Sequence, residues 1–325
     1  MKFTKFFTLW ITFISSLYAD VSTYSFENDA IFKTDKYYTN SISYSWLSNK
    51  DTNNKELYNN TLYNIINNLS LQKERTNQSI QFAFEHFIFT PDDTQETEKI
   101  PDDIPYAGVA MFSISVYRWE EDYFHEFGLS LSLIGPSALG EQMQNSLHKV
   151  IGANSAKGWD NQLSDSLGIG IRYSYADKSY QKYFQNNSKV ELTNQISFNL
   201  GTSIRDVLVG TTFRYGYNMP NNFATIGKTL GVNQHYALNL DSKTNDHFGY
   251  SINYGIFYNH IDYFYITDHD KSYTINPSHN VVGKILGFDF YYNKYTLNIS
   301  FKKEEFLSSD SHSQRWGTLS LRHVF

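Results

Sequence analysis

Apolar and polar residues alternate along this chain in several segments of roughly ten residues. In 79–88 the even positions are mostly isoleucine and phenylalanine, while the odd positions from 79 to 85 are serine, glutamine, alanine and glutamate. The same alternation recurs in 39–46, 126–133, 248–258 and 295–302. Strands with one face toward lipid and the other toward water show this period-two pattern, although a soluble β-sandwich would alternate in a similar way.

Twelve segments carry the pattern and define the predicted strands. They are residues 21–29, 38–48, 78–88, 105–119, 122–134, 162–176, 188–201, 205–217, 247–261, 282–292, 294–304 and 313–325. The even number agrees with single-chain bacterial barrels, so we predict an all-β fold, a 12-stranded antiparallel transmembrane β-barrel. The last segment places Leu319, Leu321 and Phe325 on one face and resembles the strand by which bacterial barrels are recognised for assembly. His323 departs from the apolar residue that is usual there.

The composition supports membrane strands and excludes several classes of protein. Aromatic residues make up 17% of the chain although its mean hydropathy is −0.47, a combination that is unusual for a soluble enzyme. The chain has no cysteine, which excludes disulfides, cysteine-ligated metal centres and a cysteine nucleophile. The formal net charge of −6 also argues against nucleic acid as a partner.

The N-terminus has the pattern of a secretory signal peptide. Lys2 and Lys5 precede an apolar run over 6–17, and Ala19 offers a small residue for cleavage. The run is shorter than the roughly 20 apolar residues that a transmembrane helix requires. We therefore predict a signal peptide over 1–19 and a single barrel domain over 20–325. We expect this domain to be a monomer in the bacterial outer membrane.

Strand parity predicts which connections face the cell exterior. If both termini are periplasmic, the outward connections are 30–37, 89–104, 135–161, 202–204, 262–281 and 305–312. The periplasmic connections are mostly short, but 49–77 and 218–246 are long. The first of these two could form a short amphipathic helix, and the sequence leaves open whether it is a plug or an exposed appendage.

One outward connection has the pattern of a helix. Residues 135–137 (Gly-Pro-Ser) supply a break, a proline suited to the first turn and a capping hydroxyl, and Gly152 is placed to end the helix. The apolar residues that recur between them at helical spacing are Leu139, Met143, Leu147 and Val150. We therefore predict a short helix in this extracellular loop.

Residues suited to catalysis lie on this helix and on the first two strands. Gln144 and His148 are four residues apart and share a face of the helix. By parity, Asp29 and Thr39 face the lumen near the outer mouth of the barrel. A histidine base folded over a mouth lined with hard oxygen donors has the parts of a hydrolytic site, and those oxygens suit calcium or magnesium. Alternatively, a lone helical histidine is a bystander, and the aspartate and threonine only form turns.

Other outward loops offer weaker candidates. Asp102 and Asp103 lie in a proline-stiffened loop and could bind the same metal, although solvated loop carboxylates are commoner. The loop lysines, which could meet lipid phosphates or simply be solvated, are Lys33, Lys36, Lys99, Lys149 and Lys157. The chain has no G-x-S-x-G, H-E-x-x-H, G-x-G-x-x-G or P-loop motif.

Short motifs occur in a distinctive order over the first eight predicted strands. They are residues 27–29 (Glu-Asn-Asp), 34–40 (Thr-Asp-Lys-Tyr-Tyr-Thr-Asn), 105–108 (Pro-Tyr-Ala-Gly), 134–153, 158–162 (Gly-Trp-Asp-Asn-Gln) and 216–220 (Gly-Tyr-Asn-Met-Pro). In these motifs the chain resembles the outer-membrane lipid A 3-O-deacylases. The last third of the chain resembles that family mainly in its strand alternation.

The resemblance implies a twelve-stranded enzyme that hydrolyses the 3-position acyl ester of lipid A with calcium as cofactor. Asn28 and Asp29 match the family's Asn-Asp pair, in which the aspartate is tied to the metal. Thr39 matches the hydroxyl residue beside the scissile ester. Gln144 matches a polar residue of the helix, and His148 matches the base that activates water.

One position departs from the family pattern. Where some members have a glutamate, this chain has Asn154, which implies weaker calcium binding if that glutamate is a ligand. Two other functions stay open at this point: a non-catalytic outer-membrane pore or adhesin, and an outer-membrane phospholipase with the same machinery. A pore has no need of the helix or of the matched polar residues, so the sequence favours a deacylase that acts on lipopolysaccharide.

Overall fold

The structure is a computed structural model, and it describes residues 21–32, 37–48, 77–227, 245–304 and 314–325. The described residues contain twelve β-strands in one closed antiparallel sheet, in which the first strand pairs with the last. Closure gives every strand a hydrogen-bonded partner on both sides, as a sheet requires to span a bilayer. The predicted 12-stranded antiparallel barrel with a short helix in a loop is confirmed.

The strands are β1 (Val21–Asn28), β2 (Tyr37–Leu47), β3 (Asn77–Thr90), β4 (Ala107–Trp119), β5 (Tyr123–Ile134), β6 (Ser166–Tyr183), β7 (Ser188–Gly201), β8 (Ile204–Tyr217), β9 (Asn245–Phe264), β10 (Asn280–Asn293), β11 (Tyr295–Glu304) and β12 (Gln314–Val324). Within the described ranges, two α-helices, α1 (Gly140–Ile151) and α2 (Tyr265–Asp268), lie in the connections. The 3₁₀ turns in the same ranges are Ala30–Phe32, Pro136–Ala138 and Gly158–Asn161. Among the described residues, no helix combines the length and apolar character that crossing a bilayer would require.

The two faces of the sheet differ in the way that the alternation predicts. Apolar side chains such as Leu167 and Ile169 are 72% and 66% exposed on the outside of the barrel. The other face of the sheet carries polar, buried side chains, including the carboxylates of Glu85 and Glu126. We call these the outward and the luminal faces. The outward face has the composition of a surface in lipid.

The two ends of the barrel also differ. One end carries α1, α2 and the 91–106 and 135–165 connections, and we call it the helix end. The other carries the start of β1, the end of β12 and, among the described connections, three short ones at 120–122, 184–187 and around Lys294. We call this the terminus end.

Apart from two pockets, lined by residues that include Glu126 and Arg214, side chains of the described part of the chain occupy the lumen. An apolar layer closes it near the helix end and includes Tyr38, Phe87, Phe89, Ile134, Phe264 and Trp316. A second apolar cluster lies near the terminus end and includes Leu47, Tyr117, Trp119, Phe124 and Phe223. Between the two layers lie hydrogen-bonded charges such as the Arg172–Glu126 pair, whose atoms are 3.2 Å apart.

Residues 219–227, which follow β8 at the terminus end, fold into the lumen, and we call them the plug segment. The side-chain and backbone oxygens of Asn222 both accept hydrogen bonds from Arg214. The backbone nitrogen of Ile226 donates to Gln195 at 3.0 Å. A Cβ atom on Gly210 would approach the Ile226 side chain to 2.7 Å, so the wall is shaped to this segment.

The structure differs from the sequence prediction in some boundaries. β6 spans Ser166–Tyr183 rather than 162–176, because polar residues continue the ladder beyond the alternating part of the strand. The start of the long connection 218–246 lies inside the barrel as the plug segment. The predicted signal peptide over 1–19 and nearly all of the 49–77 connection lie outside the described residues.

Candidate active site

Helix α1 lies against the outside of the barrel wall. Just before the helix, the Ala138 carbonyl oxygen accepts a hydrogen bond of 2.8 Å from Nε2 of His86, which is on the outward face of β3. The outward-facing Ile88 packs in a cluster with Trp159, and Met143 of the helix lies against that cluster. The expectation that this helix folds over the barrel mouth is therefore wrong. Its polar face meets the lipid-facing side of the wall.

Two glycines allow the helix to approach the wall closely. A Cβ atom on Gly108, on the outward face of β4, would lie 2.7 Å from the Gly140 backbone nitrogen. A Cβ atom on Gly140 would lie 2.7 Å from both the Gly108 Cα and the Trp159 ring. No L side chain fits at either position without displacement of the helix. The helix itself ends as predicted at Gly152, which has a φ of 74°.

Replacing Gly108 by valine is expected to separate α1 from the wall while the barrel still folds. The new side chain would clash with the backbone of Gly140, and backbone cannot rotate away as a flexible side chain can. Tryptic cleavage after the exposed Lys149 should become faster, and heat-modifiable gel mobility should remain that of a folded barrel. Ala110→Val, two residues further along the same outward face, is the matched control and should leave the cleavage rate unchanged. Equal cleavage of both variants would contradict the close contact.

His148 is held in one tautomer. Its Nδ1 lies 2.6 Å from the Asn154 carbonyl oxygen. A carbonyl oxygen can only accept a hydrogen bond, so Nδ1 carries the proton of the neutral ring and Nε2 carries the lone pair. The side chain is buried at 4% exposure on the helix face that meets the barrel. This arrangement suits a general base whose orientation is fixed by the backbone.

Gln144 lies one turn before His148 on the same face of α1. Its Oε1 accepts a hydrogen bond of 2.8 Å from the indole nitrogen of Trp159. Its Nε2 has no hydrogen-bond partner among the described residues, although the side chain is only 1% exposed. An unpaired buried amide is costly unless something else in the working protein accepts its hydrogen bonds.

The other predicted residues come together where β1 and β2 meet at the helix end. Asn28 of β1 is the cross-strand partner of Asn40 of β2, and both lie on the outward face. The Asp29 backbone nitrogen donates to the Thr39 carbonyl oxygen at 3.2 Å, so the two residues are neighbours. The side chains of Asn28, Asp29 and Thr39 are all buried.

The prediction that Thr39 faces the lumen is wrong, because a β-bulge interrupts the alternation. Tyr38 pairs with Phe89 and Asn40 with the next residue, Ile88, which leaves Thr39 as the extra residue between them. The hydroxyl of Thr39 lies 2.8 Å from that of Thr90, two residues beyond the outward-facing Ile88. The bulge therefore turns this hydroxyl toward the side of the wall on which α1 lies.

Asn40 is a candidate that the sequence reasoning missed. It is 1% exposed, and neither its amide nitrogen nor its amide oxygen has a hydrogen-bond partner among the described residues. The signal was present in the sequence, because Asn40 is a polar residue on the otherwise apolar face that continues through Ile42 and Tyr44. A polar side chain on a lipid-facing surface at the end of a strand points to a ligand or to a cover such as α1.

The donors at this corner fit a hard cation in kind. The carboxylate of Asp29, the amide oxygens of Asn28 and Asn40 and the hydroxyl of Thr39 are the ligand types that calcium takes. The unpartnered oxygen of Asn40 is the observation that favours a ligand here. No group of three or more histidine or acidic side chains suited to a metal occurs in the described ranges, so neutral oxygens would have to supply most of the coordination.

The remaining loop candidates have structural partners. Both carboxylate oxygens of Asp103 accept backbone hydrogen bonds of 2.7 Å, from Asp92 and from Ile104. Burial raises the pKa of Asp103, while these two hydrogen bonds act in the opposite direction. Lys99 lies 3.8 Å from the centre of the Tyr273 ring and is bonded to the β9–β10 loop. Asp103 therefore organises its loop, and Lys99 ties that loop to its neighbour.

Among the other predicted loop residues, three are exposed and two are not described. Asp102, Lys149 and Lys157 are exposed, and Lys33 and Lys36 lie outside the described residues.

The main candidate residues form two groups, one on α1 and one on β1 and β2. The two groups flank the helix end of β3 on the outside of the barrel.

Comparison with known proteins shows the family to which the chain belongs. A family model described as outer membrane protein LpxR matches residues 6–325 of the chain. The chain belongs to the LpxR family. The match confirms the resemblance that the sequence motifs indicate, and it identifies the chain as an outer-membrane protein. No curated protein sequence matches the chain.

One solved structure agrees with the family at the level of the fold. LpxR from Salmonella typhimurium has a TM-score of 0.74 and 15% sequence identity, covering 94% of this chain and 100% of that one. The β domain of the Bordetella autotransporter BrkA has a TM-score of 0.44 at 8% identity, covering 94% of this chain and 99% of that one. The KdgM porin has a TM-score of 0.40 at 5% identity, with the same coverage. At these identities the LpxR structure shows a shared fold.

Proposed function

We propose that this LpxR-family protein is a calcium-dependent lipid A 3-O-deacylase, in which His148 activates water for hydrolysis of the 3-position acyl ester. The observation that carries the proposal is the location of the buried polar set, between α1 and the outward face of β3 and its neighbours. A lipid in the membrane reaches the outside of the wall by lateral diffusion. A soluble substrate would have no access there within the bilayer.

The proton transfer starts at His148. With its Nδ1 proton bonded to the Asn154 carbonyl oxygen, the ring presents Nε2 as the atom that takes a proton from water. The water oxygen then bonds to the ester carbonyl carbon, and the carbonyl oxygen takes up the negative charge. The Asn154 carbonyl also stabilises the imidazolium that results, as an acceptor on the Nδ1 side. When the intermediate collapses, the imidazolium returns the proton to the leaving sugar oxygen.

Gln144 and Thr39 supply hydrogen bonds to the developing oxyanion. The buried Nε2 of Gln144 can only donate, and its lack of a protein partner leaves it available to a substrate oxygen. The bulge turns the hydroxyl of Thr39 outward. This hydroxyl lies on one side of β3, and α1 with Gln144 lies on the other. Donors fixed in a buried site stabilise a transition-state charge without rearranging, which is the main advantage of such a site over water.

Asp29, together with the amide oxygens of Asn28 and Asn40, would hold the calcium ion. Bound there, calcium would act as a Lewis acid toward the ester carbonyl. Asp29 brings one negative charge, and its backbone bond to Thr39 fixes its place beside the hydroxyl. Since Asn154 replaces the glutamate of some family members and contributes its carbonyl to His148, we expect weak calcium binding.

The site would face the cell exterior. Bacterial barrels place their longer loops outside and both termini in the periplasm, and the helix end of this barrel carries the longer described loops. The substrate in that leaflet is lipopolysaccharide. The apolar layer and the plug segment argue against a pore, because both lie across the path that ions would take through the lumen.

The purified barrel in detergent is expected to release one 3-hydroxyacyl chain from lipid A, and a chelator should stop the release. The proposed site contains a base, hydrogen-bond donors and one carboxylate, but no positively charged side chain. Stabilisation of the oxyanion would therefore depend on the positive charge of the calcium ion. Mass spectrometry of lipid A and of added phosphatidylethanolamine in the same incubation measures both substrates. Restoration by calcium after chelation is the control for irreversible damage.

The outcomes separate the proposed functions. Fatty acid released from phosphatidylethanolamine and not from lipid A would replace the deacylase with a phospholipase. Unchanged release in the presence of chelator would remove calcium from the proposal and keep the histidine chemistry. If both lipid A and the phospholipid stay intact while the barrel is folded, the result would favour a non-catalytic function, as a pore or an adhesin.

A further inference from the structure

We propose that Trp159 is a positioning residue that fixes the amide of Gln144 in the one orientation able to donate to the substrate oxyanion. The inference deepens the proposed function, on which its kinetic part rests. It starts from a hydrogen bond whose direction is set by chemistry. The indole nitrogen of Trp159 lies 2.8 Å from the Gln144 side chain, and an indole N–H has no acceptor capacity.

This property of the indole decides which end of the glutamine amide points into the site. The two ends of an amide have nearly the same shape, so an isolated glutamine could present either its oxygen or its nitrogen. With the Trp159 N–H as its neighbour, the oxygen must face the indole and the NH₂ group must face away. The flipped amide would place two donors against each other and would turn a carbonyl oxygen toward the developing negative charge.

The indole itself is held rigidly. Trp159 is 2% exposed, and its ring lies 4.9 Å from that of Tyr106 at an angle of 50°. The missing side chain of Gly140 makes room for the ring, since a Cβ there would come within 2.7 Å of it. Gly158, the residue before it, is confined in the same way by the Tyr106 ring, which a Cβ would approach to 2.5 Å.

The remaining end of the amide is the one without a protein partner. Nε2 of Gln144 is buried and has no hydrogen-bond acceptor among the described residues, and it lies on the helix face that also carries His148. Trp159 therefore acts through Gln144 and touches no reacting atom. Its role in hydrolysis is to prevent the buried amide of Gln144 from flipping.

The kinetic test compares Trp159→Phe, Gln144→Ala and the double variant in the full barrel with lipid A. Phenylalanine keeps most of the ring and removes the N–H. We expect Trp159→Phe to lower kcat about tenfold with KM little changed, and Gln144→Ala to lower kcat by ~10²-fold, the usual loss when an oxyanion donor is removed. In the Gln144→Ala background the tryptophan change should have no further effect on kcat. Trp46→Phe, an outward tryptophan at the terminus end, is the matched control with unchanged kcat.

A measurement without activity tests the hydrogen bond itself. In ¹⁵N-labelled barrel in micelles, the indole N–H resonance that disappears in Trp159→Phe is assigned to Trp159. That resonance should move upfield in Gln144→Ala, because its acceptor is gone. An unmoved indole resonance, or a tryptophan effect on kcat that persists in the Gln144→Ala background, would overturn the inference. A wild-type barrel that is inactive on lipid A but shows the indole shift would instead refute the deacylase and keep the contact.

Discussion

Replacing His148 with asparagine is expected to slow the proposed lipid A hydrolysis severely while the barrel folds normally. The asparagine amide can still donate to the Asn154 carbonyl in place of Nδ1, but it has no basic nitrogen with which to take a proton from water. General base catalysis by a positioned histidine contributes roughly 10²–10⁴-fold to a rate, and the loss should fall in that range. Initial rates of 3-hydroxyacyl release at saturating calcium measure the effect.

The matched control for this change is His260→Asn. His260 is also at the helix end, but it is exposed on β9 and its Nδ1 bonds to Asn280 at 3.0 Å. Its replacement should leave the rate unchanged, which would show that the loss belongs to the histidine on α1. If His148→Asn kept a rate within about threefold of wild type, the base would have to be another group and the proposed mechanism would fail.

Replacing Glu191 with glutamine is expected to cause the largest loss of stability in the barrel. Its carboxylate lies within the lumen, 2.9 Å from the amine of Lys189, and it also pairs with Arg214. Both cations are buried, Lys189 at 4% and Arg214 at 1% exposure. Removing one partner from a buried ion pair leaves uncompensated charge and costs about 3–5 kcal/mol in free energy of unfolding.

Urea unfolding in detergent, followed by the heat-modifiable gel shift, measures that loss. Asp262→Asn is the matched control, because it removes one carboxylate from the Arg205–Asp262 pair, whose side chains are 43% and 66% exposed. An exposed pair of this kind contributes less than about 1 kcal/mol. Equal midpoints for Glu191→Gln and the wild type would show that water enters the lumen and screens these charges.

The strands were predictable because each has one face suited to lipid and one face suited to the interior of the barrel. A strand with isoleucine or phenylalanine at every second position and serine or glutamate between them has one way to satisfy both faces. All twelve predicted segments overlap the observed strands. The helix was predictable for a similar reason, since apolar residues such as Met143 and Leu147 recur at helical spacing and Gly152 ends the helix in the left-handed region.

The position of the site outside the wall was not predictable from the alternation. A strict period of two assigns Thr39 to the lumen, and a single extra residue in β2 reverses that assignment. A bulge leaves no mark in a hydrophobicity pattern, because it depends on the register of the neighbouring strand. The contact between α1 and Gly108 was not predictable for a related reason. A glycine within a strand usually weakens the strand, and the sequence does not show that a second backbone packs against it.

The residues proposed to carry out hydrolysis and the residues that stabilise the barrel lie on opposite faces of its sheet. The polar groups assigned to hydrolysis rest on the lipid side of β3, while the ion pairs and the plug segment fill the aqueous side. Substitutions in the interior can therefore alter resistance to denaturant without passing through the residues that would bind substrate. Such a barrel can gain robustness and turnover by separate changes, which an enzyme with its site in a central cleft can rarely do.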